Sequence, residues 1–199
     1  MDKSSNSPCN CAGERVNTSV KRRDVIRIGV AGYAMSAFAP LGAQPNPARP
    51  APGDLFVTDD VEKDPVGIKA ADLAVGKPIL VYPFDPASKL IRNESRLSKV
   101  VLVKVDDADM DAETRNRSAG GVLAFSAVCT HQACDAKTWV PADKALVCFC
   151  HASKFLVLDG GRVSGGPAPR ALPMLPLKLQ GEQLAVAAPF TSAPGGAVK

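Results

Sequence analysis

The sequence predicts an all-β fold, a small antiparallel sandwich, and two observations carry that prediction. Short runs rich in β-branched and apolar residues recur between residues 54 and 190. Turn residues separate them, among them Asp159-Gly160-Gly161 and Gln180-Gly181-Glu182. A third observation concerns the chemistry. The only two histidines of the chain lie in two short clusters between the later runs, together with four of its six cysteines.

The chain has 199 residues, enough for one domain with a short preface. Residues 1–43 hold Lys3, Arg15, Lys21, Arg22, Arg23 and Arg27 against Asp2, Glu14 and Asp24, three of the four net positive charges. The basic balance therefore belongs to this segment, and the near-neutral remainder argues against nucleic acid as a partner. Lys21-Arg22-Arg23-Asp24-Val25-Ile26-Arg27 resembles a twin-arginine export signal, and the apolar residues 28–39 follow it as the hydrophobic region should. Export to the periplasm is the expected consequence. Cleavage after Leu41-Gly42-Ala43 is the favoured outcome, and retention of 28–43 as a membrane anchor on the periplasmic face is the alternative. As a helix that stretch spans about 24 Å, less than a hydrocarbon core of about 30 Å. Cys9 and Cys11 precede the twin arginines and read as part of an unstructured n-region.

Residues 44–53 form a proline-rich linker, expected to be semi-extended and mobile. The domain proper is expected at 54–190. Its strand candidates are, in order, Leu55-Phe56-Val57, Ile79-Leu80-Val81-Tyr82, Val100-Val101-Leu102-Val103-Lys104-Val105 and Val122-Leu123-Ala124-Phe125-Ser126-Ala127-Val128. Then come Ala145-Leu146-Val147, Phe155-Leu156-Val157-Leu158, Leu175-Pro176-Leu177-Lys178-Leu179 and Leu184-Ala185-Val186-Ala187. Residues 106–118 are polar and read as a surface loop with room for one helical turn. The tail, 191–199, is rich in Pro and Gly and is expected to be disordered. No internal repeat is evident.

The two clusters are Cys129-Thr130-His131-Gln132-Ala133-Cys134 and Cys148-Phe149-Cys150-His151-Ala152-Ser153. Each offers one Cys and one His as metal ligands and one spare Cys. With Gly166-Pro167-Ala168-Pro169 downstream, the set resembles the Rieske [2Fe–2S] family, in its disulfide-containing subgroup. The resemblance covers roughly 121–188. It implies a Rieske-type sandwich with a small cluster-binding subdomain, about 121–170, inserted at one end. It also implies one [2Fe–2S] cluster with Cys129 and Cys148 on one iron and His131 and His151 on the other. Replacing two thiolates by neutral imidazoles makes a cluster less negative, which raises its potential to roughly −150 to +300 mV against about −400 mV for plant-type ferredoxins.

The same resemblance implies a disulfide between Cys134 and Cys150, and a stiff covering loop at Gly166, Pro167, Ala168 and Pro169. Ser153 matches a position that hydrogen-bonds a bridging sulfide. The chain departs from the family pattern at four places: Ala133 and Ala152 stand where Gly is usual, Phe149 where Pro is usual, and Phe155 where Tyr often donates to a ligand sulfur. Without that donor the potential is expected to fall below that of the quinol-oxidising members. Phe149, Phe155 and Trp139 are expected to pack rather than to conduct electrons. Structural zinc on the same four ligands is the alternative metal reading, and it leaves Cys134, Cys150 and the covering loop without a purpose.

No Ser–His–Asp set, phosphate-binding glycine loop or placed carboxylate pair is present, so no catalysis by the chain alone is expected. An oxygenase catalytic subunit would need further histidines. A soluble ferredoxin for such an oxygenase would lack the spare cysteines. The favoured function is periplasmic electron transfer as the small subunit or partner of an oxidoreductase, resembling the arsenite oxidase small subunit, with a catalytic subunit and a c-type cytochrome as partners. The alternative resembles the Rieske subunit of a cytochrome bc complex, which takes electrons from quinol. In either case His131 or His151 is expected to face the partner.

Overall fold

The computed structural model describes residues 48–58 and 65–196. The export signal, the stretch 28–43, Cys9, Cys11 and the first part of the linker lie outside the described residues. Among the described residues no helix is long and apolar enough to cross a membrane.

The strands are β1 (Leu55–Val57), β2 (Ile79–Asp85), β3 (Leu90–Ile91), β4 (Val100–Lys104), β5 (Val122–Ser126), β6 (Thr138–Val140), β7 (Ala145–Cys148), β8 (Ser153–Leu156), β9 (Arg162–Gly165), β10 (Leu177–Gln180) and β11 (Gln183–Val186). One sheet runs β10-β11-β1-β2-β4-β5, with β3 paired to β2, and the other runs β6-β7-β8-β9. All of these strand pairings are antiparallel. The smaller sheet lies between β5 and β10 in the chain, so it is an insertion into the larger one, as expected. β3, β6 and β9 were not among the strand candidates. They are short and polar or half-exposed, and lack the apolar run that marks a buried strand.

Strand alternation explains how two cores share one wall. Successive side chains point to opposite faces. On β4, Val101 and Val103 join Leu123 and Phe125 of β5, Leu146 of β7 and Phe155 of β8 in one core. Val100 and Leu102 face the other way, onto Phe56, Val81, Leu175 and Leu184. Each residue of Val100–Val103 is fully buried, which is why the sequence reads as a continuous apolar run.

The polar segment 106–118 holds the expected helical turn, α1 (Ala112–Asn116). Asp111 caps it, its Oδ1 accepting from the Thr114 N–H at 2.7 Å. Thr114 is buried, and its Oγ1 accepts from the Gly160 N–H at 2.8 Å, which fixes the β8–β9 turn.

A second interaction escaped the sequence. Asp54 and Arg92 form a buried pair, with Arg92 Nε donating to Asp54 Oδ2 at 2.6 Å and its Nη2 to Oδ1 at 3.1 Å. The Ala51 N–H also donates to Asp54 Oδ2, at 2.7 Å. Together with the Gly53 N–H bonded to the Val186 carbonyl at 2.9 Å, these bonds seat residues 51–54 against β11. The end of the expected mobile linker is therefore packed.

Candidate metal centre

The first cluster grows out of β5. The inward face of that strand continues as Leu123, Phe125, Ala127 and Cys129, all in the same core. Period-two alternation therefore delivers the Cys129 thiol to the interior. Beyond it the chain turns tightly, with the Ala133 N–H bonded to the Cys129 carbonyl at 3.1 Å and the Cys129 N–H to the Cys134 carbonyl at 2.8 Å. Ala133 closes this turn at φ 59°, a conformation in which a Cβ is strained. Arg96 supports it, its Nη2 donating to the Ala133 carbonyl at 3.0 Å and to Asp135 Oδ1 at 3.2 Å. Lys99 Nζ donates to Asp135 Oδ2 at 3.4 Å. Thr130 is fully buried and donates from Oγ1 to the Arg170 carbonyl at 2.8 Å.

The second cluster is the tip of the β7–β8 hairpin. Cys148 pairs with Ser153 and Leu146 with Phe155, so Cys148 continues the inward face of β7 and is 2% exposed. Burial pushes the Cys148 thiol up, and the neighbouring Cys129 adds to the push, while the N–H groups of Cys150 and His151 oppose both. A bound metal would reverse that balance because it takes the thiolate. Phe149 was expected to pack, and the structure corrects this: it is 76% exposed, because residue 149 falls on the outward side next to inward Cys148. Phe155 is fully buried as expected. Ala152 sits at φ 56°.

Two pairs of like ligand candidates result. Cys129 and Cys148 are both free, both buried and close enough to interact. The His131 and His151 rings meet edge to face, centroids 4.7 Å apart. The spare cysteines, Cys134 and Cys150, are joined as a disulfide with Cα atoms 6.4 Å apart, so they are not available as thiolate ligands. Cys148 Sγ lies within 4.8 Å of both disulfide sulfurs.

The covering segment follows β9. Gly166, at φ 80°, rests on the second cluster so closely that a Cβ there would lie 2.5 Å from Ser153 Cα and 2.6 Å from the Ala152 carbonyl oxygen. Ala168 turns into the core that holds both free cysteines, while Pro167 and Pro169 stay exposed.

The donor set suits a [2Fe–2S] group on an observation independent of spacing. Buried polar atoms are almost always hydrogen-bonded. Two among the described residues are not: His131 Nδ1 and Ser153 Oγ. One belongs to a ligand candidate and the other to the residue expected to donate to the group. The bracing residues Arg96, Lys99, Thr130 and Arg170 went unnoticed in the sequence. Their bonds are to backbone carbonyls, to the Ser192 hydroxyl and to the Asp135 carboxylate, all far away in the chain, which leave no local pattern.

The family model described as the Rieske [2Fe-2S] domain matches residues 68–176. The putative respiratory nitrate reductase subunit Rieske of Haloferax mediterranei is 33% identical over 136 residues, covering 68% of this chain and 59% of that protein. The cytochrome bc1 complex Rieske iron-sulfur subunit of Streptomyces lividans is 29% identical over 118 residues, covering 58% of this chain and 69% of the relative. Among solved structures, the plasma membrane Rieske protein of Synechocystis PCC 6803 aligns over 55% of this chain and 86% of its own, with 25% identity and a TM-score of 0.36.

Proposed function

The chain belongs to the Rieske [2Fe–2S] family, and on that premise we propose that it carries single electrons between two protein partners, with Cys129 and Cys148 holding one iron and His131 and His151 the other. The observation that carries the assignment is the sorting of ligands into a thiol pair and an imidazole pair, each pair drawn from both loops. When bound, the cluster takes up one electron and gives it back. The chain's own residues do the rest. Buried Cys129 and Cys148 keep the sulfur side of the site away from water, and exposed His151 presents the imidazole side to a partner. Ser153 supplies a hydroxyl donor that favours the more negative, reduced state. Phe155 supplies none.

The working reading is a periplasmic relay subunit or partner of an oxidoreductase such as an arsenite-oxidase-like enzyme, passing electrons from its catalytic subunit to a c-type cytochrome. The twin-arginine resemblance at 21–27 and the apolar Phe155 favour it. So does the Haloferax mediterranei relative, whose name places it with a respiratory nitrate reductase. The second reading is a bc-type subunit that draws electrons from quinol. The disulfide, the covering loop and the Streptomyces relative favour that one.

A potentiometric titration monitored by EPR separates them. A rhombic Rieske-type signal with a midpoint well below the quinol-oxidising class fits the relay, and the same signal at a high midpoint fits the bc-type reading. Bound zinc without the signal overturns both. Replacing Arg22-Arg23 by Lys-Lys should block export; unchanged periplasmic recovery would sink the twin-arginine route, and recovery of the unaltered chain from the cytoplasm alone would sink the location.

A further inference from the structure

Arg170 lies directly after the covering loop and touches two further segments at once. Its carbonyl accepts from Thr130, inside the first ligand loop, at 2.8 Å. Its guanidinium donates to Ser192 Oγ at 3.1 Å and to the carbonyls of Ala193 and Gly195, both at 2.6 Å. The tail it holds was expected to be disordered, yet residues 191–196 are described and run over the first ligand loop. Met174 and Thr191 start that course, with the Thr191 N–H bonded to the Met174 carbonyl at 2.9 Å. Gly195 is buried beside Val128 and Leu97. At Gly196 a Cβ would lie only 2.6 Å from the His131 carbonyl oxygen, so the tail backbone lies directly against the backbone of His131.

We propose that Arg170 and residues 192–196 act as a brace that sets the position of His131, with Arg170 as a positioning residue for the metal centre. The inference rests on His131 being a ligand. The physical reason is local. A six-residue turn closed at a strained Ala133 has few bonds of its own, and a loop tip with little packing opens easily. The tail backbone at Gly196 packs against the carbonyls of Thr130 and His131. Arg170 suits this task because its rigid fork serves several acceptors together, which a Lys cannot reproduce.

The test uses the full chain loaded with its cluster. Arg170→Ala, Arg170→Lys, a stop after Thr191, Gly196→Val and Arg170→Ala with the stop are compared by EPR line width, midpoint potential and rate of cluster loss on warming. Arg170→Ala and the stop should each broaden the signal, shift the midpoint and speed cluster loss by about tenfold. The combined variant should be no worse than either alone, because both remove one device. Arg170→Lys should restore part of the effect, and Gly196→Val should broaden the signal with the Arg170 bonds intact. Asp54→Asn, which weakens the fold elsewhere, should lower the unfolding temperature and leave line width and midpoint unchanged. Unchanged spectra in Arg170→Ala and in the stop variant, with a normal signal in the parent, would overturn the brace alone. Absence of a Rieske signal in the parent would overturn the ligand assignment beneath it.

Discussion

The two loops proposed to hold the cluster stand on opposite footings. The first, from Cys129 to Cys134, is bound from several sides: Thr130 is buried on Arg170, Arg96 reaches the Ala133 carbonyl, and Lys99 and Arg96 both meet Asp135. The second is a hairpin tip. Phe149, Cys150, His151 and Ala152 are all exposed, and its supports are the β7–β8 ladder, the disulfide and the seat of Gly166. One loop is therefore held by the body of the domain and the other is held largely by its neighbour. A metal centre between them can be rigid on one side and open to a partner on the other.

The harshest way to break this comparison is to remove a ligand from each side. His131→Ala and His151→Ala should both abolish the cluster, measured as iron content and visible absorbance. Retention of a full cluster in either variant would remove that residue from the ligand set. The next largest effect separates the loops. The double variant Cys134→Ser with Cys150→Ser should still assemble the cluster and lose about 3 kcal/mol of stability. Hydrogen exchange should rise more in 149–152 than in 129–134. Equal increases would mean that the first loop owes its order to the disulfide after all.

A finer test concerns the electron itself. Ser153→Ala should lower the midpoint, and Phe155→Tyr should raise it if the new hydroxyl reaches a ligand sulfur. A hydrogen bond to a charged group is worth about 1.5–3 kcal/mol, so the Ser153 shift should be of order 60–130 mV at ~59 mV per tenfold for one electron. No shift on removing Ser153 would mean that its hydroxyl serves the backbone. The smallest effect belongs to the exposed support of the first loop. Arg96→Ala should cost about 0.5–1 kcal/mol by thermal or urea unfolding, and less at high salt. A loss of several kcal/mol there would show that Arg96 carries the strained Ala133 turn almost alone.

Most of the candidate centre is legible in the sequence because its signals are local. Cys129-x-His131 and Cys148-x-x-His151 are spacings, and the strands that aim the two cysteines are apolar runs whose alternation can be counted. The Cys134–Cys150 bond followed from the family pattern and is present. What escaped reading depends on partners far away in the chain. Arg92 looks like any surface arginine until Asp54 meets it 38 residues away. The tail composition signals disorder, yet Arg170 gathers its carbonyls. Phe149 read as a packing residue because aromatic side chains usually are, and only the strand register reveals that it points outward.

The wall formed by β4 and β5 has a consequence for the rate at which charge can move. Cys129 lies three residues beyond β5, on the line of its inward face, and every residue of that strand is fully buried. Close-packed interiors resist displacement. A redox centre held there would change its charge with little rearrangement on that side, and a small reorganisation energy would let an electron cross quickly when driving force is slight. The same burial that makes β4 read as an unbroken apolar run would thus set the inertia of the site.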